Sequence, residues 1–231
     1  MQQINNLIVI AAAGLGKRMK MSGPKAAIKI YENETVIERQ IRLFKKFFPS
    51  YKIVVVIGSA KEKMEKILNN KVEIIINNDF DNSNTAWSIK KAIEKEKVNN
   101  LILCCGDLVF NESMISKIIT DFSCVVLDTN NMDRNSEVGC NITDCKLNHI
   151  NYGLNPKWSQ IAFLKTEEIN ILQKILKKPA IKNWFFFELM NKIIDMGGSF
   201  FTHIPTNGYM VEIDSQQDIK KAKIFAQTFK D

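Results

Sequence analysis

Histidine is almost missing from this chain, with two in 231 residues. No serine-elbow motif is present either, so a protein nucleophile with an imidazole base is not expected to carry its chemistry. The five cysteines are an odd number and show no metal-ligand spacing. Cys104 and Cys105 are neighbours in the apolar run LILCCGD. Adjacent residues of a strand face opposite ways, so this pair cannot hold one metal together. Cys124 lies in a second apolar run, and Cys140 and Cys145 in a polar, hairpin-like stretch. All five read as reduced thiols of a cytosolic protein. No signal peptide is expected, because the first residues are polar and the run LIVIAAAG is short and ends in glycine. No apolar stretch approaches membrane-spanning length, so membrane insertion is not expected and the assigned compartment is the cytoplasm. Internal repeats and low-complexity linkers are also lacking.

Among what is there, 45% of residues are hydrophobic, enough for a real core. The expectation is one domain over 1–231, with a nucleotide-binding half (1–130) and an acceptor-binding, metal-completing half (131–231). The net charge of +7 suits an anionic partner. Much of it sits in mixed-sign runs such as KEKMEK and IKKAIEKEK, which read as solvated helix faces. Dispersed lysines without a recognition motif argue against nucleic acid.

Periodicity gives strands at 7–11, 53–57, 72–76, 101–105 and 124–127, alternating with helices at 35–47, 61–68, 85–95 and 113–119. Such alternation predicts an α/β fold with a mostly parallel sheet flanked by helices. Shorter strands are expected at 138–142, 146–150 and 159–165, forming a small β-rich excursion. Helices at 167–177 and 183–196, strands at 200–204 and 210–213 and a helix at 218–229 complete the chain. Ligands of open α/β sheets gather at the carboxyl ends of the strands. The opening loop, NNDFDNSNT and GDLVF all fall at such ends.

The opening loop, IAAAGLGKRMKMSGPK, leaves a buried strand and at once turns glycine-rich and basic. It is not the dinucleotide fingerprint GxGxxG, because position 19 is Met19. It is not a Walker-type loop either, because Gly16-Lys17 is followed by Arg18. What remains is GxGxR and a later proline-lysine. Glycines let backbone N–H groups approach an anion, and Lys17, Arg18 and Lys25 would neutralise a triphosphate. A purely structural turn would need the glycines but not the cations.

IAAAGLGKRM followed by PK resembles the signature of the nucleotidyltransferases that activate sugar phosphates and related phosphoesters. TVIERQIRLF, IVVVIGSAKEKMEKIL, NNDFDNSNTAWSIKKA, LILCCGDLVF and MVEIDSQQDIKKA resemble that family's later segments in the same order, so the likeness covers essentially the whole chain. The pattern is nearest to bacterial cytidylyltransferases of the choline-phosphate type, which serve surface polysaccharide or lipid decoration. Two departures stand out. PKAAI replaces the usual PK-x-L, and Tyr209-Met210-Val211 replaces the aromatic that often precedes EID.

The resemblance implies a Rossmann-like nucleotide-diphospho-sugar transferase fold. It implies Mg²⁺-dependent transfer of CMP from CTP to a small phosphorylated acceptor, with release of pyrophosphate. Lys25 would contact the α-phosphate or attacking oxygen; Arg18 and Lys17 would hold the outer phosphates, and Met19 would pack. Ala12, Ala13, Gly14, Gly16 and Gly106 would line the nucleotide, and Asn84, Thr85 and Ser88 would read the base, with a plain helix cap as the alternative at Asn84 or Thr85. Asp107, past a strand end, is the first choice of Mg²⁺ ligand. Asp214 is the second, unless it caps the last helix; Glu212 lies two residues before it on the same face. For the acceptor, Trp184, Phe187 and Glu188, with Tyr152, Trp158 and Glu212, suit a cationic head group, although Trp184 and Phe187 equally suit the core face of a helix. Phosphocholine, phosphoethanolamine, an aminophosphonate and a phosphorylated amino acid or amide stay open as acceptors. So do a sugar-1-phosphate nucleotidyltransferase using UTP, GTP or dTTP, a non-catalytic regulator, and a homodimer.

Overall fold

The computed structural model describes residues 5–14, 16, 23–94, 96–130 and 137–229. Strand β1 (Asn6–Ala12) is apolar on both faces and nearly all buried, as befits a strand covered on both sides. A short hairpin follows, β2 (Lys29–Tyr31) and β3 (Glu34–Thr35), which the sequence reading did not anticipate. Helix α1 (Val36–Phe47) begins in a reciprocal cap: the Thr35 hydroxyl accepts from the Glu38 N–H, and the Glu38 carboxylate accepts from the Thr35 N–H. Then come β4 (Lys52–Ile57), α2 (Lys61–Leu68), β5 (Glu73–Ile76), α3 (Thr85–Ile93), β6 (Asn100–Cys105), β7 (Leu108–Phe110) and β8 (Cys124–Asp128). The second half supplies β9 (Val138–Thr143), β10 (Lys146–Tyr152), β11 (Lys157–Lys165), α4 (Thr166–Ile175), α5 (Phe186–Asp195), β12 (Phe201–His203), β13 (Met210–Glu212) and α6 (Gln216–Thr228).

Nine strands form one mixed sheet in the order β5-β4-β1-β6-β11-β8-β12-β10-β9. Strands β5, β4, β1 and β6 are parallel to one another, while β11 and β10 run against the rest. The expected β-rich excursion is therefore no separate layer: β9 and β10 extend the same sheet. Helix α3 packs on β4 and β1, α4 on β11 and β6, and α5 on β10. The carboxyl ends of β1, β4, β5 and β6 open on one edge, and the site lies there. Beside the main core, Ile30, Val109, Val211, Ile213, Ile219 and Phe225 make a second apolar cluster. It fastens α6 and the two-stranded β7–β13 ladder to the hairpin of β2 and β3.

Two helices differ from expectation. Residues 113–119 form only a 3₁₀ turn at Glu112–Met114 and further turns. The segment is rich in β-branched isoleucine, which is a poor helix former, and Met114 and Ile115 are buried without one. The helix expected at 183–196 starts at Phe186, because the backbone of 182–184 is used elsewhere: the Lys182 and Trp184 carbonyls accept from Asn84 and Ala86 N–H. Its end matches the Gly197-Gly198 stop, with Gly197 at a φ of 94° and the Gly198 N–H on the Ile193 carbonyl. No helix among the described residues is long and apolar enough to cross a membrane.

Candidate active site

The floor of the site is built by the β7–β13 ladder. Glu212 pairs with Leu108, and the Ile213 N–H donates to the Asp107 carbonyl at 3.0 Å. Two segments far apart in the chain thereby place Asp107, Glu212 and Asp214 together, each offering a carboxylate oxygen within 4.8 Å of the others. The Lys25 ammonium donates to Asp214 Oδ1 at 2.6 Å and to Asp107 Oδ2 at 3.1 Å. Asp214 is not the cap of α6. Ser215 is, its hydroxyl accepting from the Asp218 N–H at 3.3 Å, so the Asp214 carboxylate faces the site instead. Gly106 sits so close to β1 that a Cβ there would lie 2.6 Å from the Ala12 Cβ.

One residue that sequence reasoning missed fixes the Asp107 turn. The buried Gln40 amide on α1 donates to the Cys105 carbonyl at 3.0 Å and the Leu108 carbonyl at 2.7 Å, on either side of Gly106 and Asp107. Gln40→Leu takes the amide donor from both buried carbonyls and leaves the Cys105 oxygen only the weak Cys104 thiol at 3.3 Å, at a cost of about 1–3 kcal/mol. Its expected result is a denaturation midpoint lowered accordingly and a weaker divalent-cation affinity, read by titration calorimetry; unchanged values for both would show that Gln40 does not hold the turn.

Burial pulls the Lys25 pKa down, but Asp107 and Asp214 outweigh it and hold it above the ordinary lysine value. Glu212 is pushed up to about 7, first by burial and then by Asp107, against the pull of Lys157. The buried Lys157 ammonium lies 2.6 Å from Glu137 Oε2 and 3.6 Å from Glu212 Oε2. Because the folded pKa of Glu212 exceeds the ordinary glutamate value of 4.5, its proton stabilises the fold below that value. This contribution is lost as pH rises through about 7. In metal-free protein, Glu212→Gln should remove that loss. The variant's stability relative to the parent is expected to rise by on the order of 3 kcal/mol between pH 4.5 and 8, measured by urea unfolding. A flat difference across that range would contradict the assignment. The three carboxylates are hard oxygen donors, a set that fits a divalent cation such as Mg²⁺.

Above this floor opens a cavity of about 440 Å³. Ala12, Gly14, Gly16, Asn84, Thr85 and Gly106 line it on the β1 side, with Lys25, Asp107, Glu212 and Asp214 at its base. Gly16 has a φ of 62°, a conformation that favours glycine. Tyr152, Trp158 and Phe187 line the far side. Four expected contacts do not reach the cavity. Ala13 is buried behind the loop, its carbonyl accepting from Ser59. Ser88 is buried at the start of α3, where its hydroxyl accepts from the Asn77 amide at 3.2 Å. Trp184 packs against the main core. The Glu188 carboxylate accepts from the Phe185 N–H at 2.6 Å and caps α5 instead of reaching the cavity. Lys17, Arg18 and Met19 lie outside the described residues.

Sequence reasoning did not single out Phe80, Asp81, Ser83, Glu137, Gln160 and Phe185, all of which line the cavity. Phe185 was visible in the FFF triplet, but an assumed helix over it hid its direction. Glu137 follows an Asn-rich stretch of sequence with no local signal. Gln160 sits at a φ of 57°, where the β11–β8 register shifts between Trp158 and Ala162. The bulge turns its side chain to Glu212, with which it hydrogen-bonds. On the far wall Tyr152 meets Phe187 edge-on at 5.4 Å, and Phe185 stacks on Phe187 at 6.0 Å. Tyr152 is 53% and Phe185 44% exposed, so their rings are open at the mouth.

Residues 8–136 match the model of the MobA-like NTP transferase domain. Over 191 residues the chain is 31% identical to the bifunctional protein GlmU of Thermosipho melanesiensis, covering 80% of this chain and 39% of that relative. The chain thus spans about two fifths of that relative's length. The CTP:phosphocholine cytidylyltransferase of Streptococcus pneumoniae superposes with a TM-score of 0.80 at 19% identity, covering 96% of this chain and 99% of that one. The inositol-1-phosphate CTP transferase of T. maritima gives a TM-score of 0.77 at 16% identity, covering 96% and 98%. At those identities the superpositions speak for the fold, a nucleotide-diphospho-sugar transferase fold with helices flanking a mixed sheet. With the family model spanning over half of its residues on that fold, the chain belongs to the MobA-like NTP transferase family of nucleotidyltransferases.

Proposed function

We propose that the protein is a Mg²⁺-dependent cytidylyltransferase that moves CMP from CTP to a small phosphoester or phosphonate carrying a cationic group. One observation carries this reading. The Lys25 ammonium, bridged to Asp107 and Asp214, sits at the base of a cavity with a glycine-lined strand end on one side and open aromatic rings on the other.

An acceptor oxygen attacks the α-phosphorus; the new P–O bond forms as the bond to the β-phosphate bridging oxygen breaks, and pyrophosphate leaves. No protein nucleophile is needed, only alignment and charge compensation. Lys25 would neutralise charge at the reacting phosphate. Asp107 and Asp214, with Glu212, would hold the metal, which when bound supplies charge neutralisation to the phosphates. Tyr152, Phe185 and Phe187 offer ring faces to a cation. The carboxylate on that wall is Glu137 rather than Glu188. CTP is favoured because both solved relatives above are named for it.

The test is pyrophosphate release with Mg²⁺ across four NTPs and a panel of phosphocholine, phosphoethanolamine, 2-aminoethylphosphonate, phosphorylated glutamine and glucose 1-phosphate. CTP-only turnover with one cationic acceptor, slowed at least tenfold in Glu137→Gln, is the expected result. Turnover with glucose 1-phosphate and UTP, GTP or dTTP instead would assign the chain to sugar activation. Binding without turnover on any acceptor would count against an enzyme of this class.

A further inference from the structure

Phe80, Asp81 and Ser83 reach the cavity from the loop after β5, and Phe185 to Phe187 reach it from the start of α5. Outside the cavity, a polar cluster ties these two walls together. One carboxylate serves both: Asp79 Oδ2 accepts from the Trp87 indole N–H at 3.0 Å, and Asp79 Oδ1 accepts from the Lys182 ammonium at 3.2 Å. Three more bonds cross the same seam. The Asn84 N–H donates to the Lys182 carbonyl at 2.9 Å and the Ala86 N–H to the Trp184 carbonyl at 3.2 Å. The Asn84 side-chain amide donates to the Asn183 carbonyl at 2.6 Å. The loop is braced from below by the buried Asn77. Its side-chain Oδ1 accepts from the Asp79 N–H at 3.0 Å, and its side-chain Nδ2 donates to Ser83 Oγ at 3.1 Å. The ammonium groups of Lys90, Lys91 and Lys182 stand 4.7, 5.1 and 5.7 Å from the Trp87 ring centroid.

A half-exposed ion pair alone contributes little. Here it is one of four bonds that close the seam between two short segments, and neither Asp79 nor Lys182 lines the cavity. The Asp79 carboxyl is held below its usual range, first by the Trp87 N–H and then by Lys182, so it is ionised at neutral pH. We propose that Asp79 and Lys182 are positioning residues that make the nucleotide-side loop and the aromatic wall one unit, so that a ligand on either wall strengthens binding on the other. This rests on the two-substrate reading above. A ligand that immobilises one wall also orders its tied partner, and the coupling is reciprocal.

Asp79→Asn and Lys182→Met test it, with Lys182→Arg as the charge-retaining control. In ligand-free protein, hydrogen exchange at the Asn84 and Ala86 amides should speed up by roughly fivefold in the first two. KM for CTP and KM for the acceptor should each rise by roughly fivefold, the low end of ordinary coupling, with kcat within about twofold, and Lys182→Arg should restore all three. Unchanged exchange, or faster exchange with both KM values unmoved, would overturn the proposal while leaving the enzymatic reading intact. A parent protein that turns over no nucleotide would instead remove the enzymatic reading, and the role of Asp79 and Lys182 with it.

Discussion

Lys25→Met is expected to lower kcat/KM for pyrophosphate release by roughly 10³-fold, the scale of losing a preorganised charge beside a reacting phosphate. Lys25 is the one cation in hydrogen-bond contact with Asp107 and Asp214 among the described residues, and its side chain is only 15% exposed. The 3₁₀ turn after Pro24 sets its position, and Ala26 and Ala27 are buried beside it. The same substitution has a second signature. Without the ammonium, Asp107 and Asp214 face each other with no cation of the described residues in contact, and only Glu212 keeps one, Lys157 at 3.6 Å, so the metal-free variant should lose about 2 kcal/mol of stability. Millimolar Mg²⁺ should then raise the variant's melting temperature more than the parent's. A loss of activity below tenfold in a folded variant would mean that Lys25 is a structural counter-ion only.

Gly139→Ala should be the most damaging single methyl in the described chain. Its Cβ would lie 1.7 Å from the Leu154 carbonyl oxygen, a backbone atom that cannot swing aside. Gly139 is the residue where β9 meets both β10, opposite Asn151, and β11, opposite Lys157. Relief requires parting that junction, at about 3 kcal/mol or more. Glu137 and Val138 of the cavity wall would move with it. Gly14→Ala is the control: nothing lies within 4 Å of its added Cβ, so stability should change by under about 0.5 kcal/mol. Comparable urea midpoints for the two variants would refute the argument.

What the sequence made legible was local or carried by ordered motifs. A doubly apolar strand entering a glycine-rich, cationic loop announces itself, and so does a buried strand ending in Gly106-Asp107. The parallel half of the sheet followed from alternating periods. The rest depends on contacts between distant segments. Gln40 looks like any polar residue of an amphipathic helix until the Cys105 and Leu108 carbonyls appear beneath it. Whether Asp214 capped α6 was undecidable in D-S-Q-Q-D, since Asp and Ser are equally good caps; the register of β13 on β7 turns it to Lys25. Glu188 and Ser88 were assigned outward roles because their chemistry suits ligands, but local backbone and Asn77 claim them first. The aromatic run at 184–187 fits helical spacing, and only its pairing with the start of α3 shows that it enters the helix late.

The place of β11 in the sheet has a consequence for how the chain folds. β6 borders β1 on one side and β11 on the other. The strand that covers this flank lies more than fifty residues downstream, at Lys157–Lys165. A nascent chain that has released only residues 1–130 therefore presents an apolar strand, NLILCC, with unpaired backbone groups along one side. Such long-range closure is slow, and the exposed edge is an invitation to association until it is complete. Cutting the gene between the two halves should give a first fragment that aggregates and a second that rescues it when co-expressed.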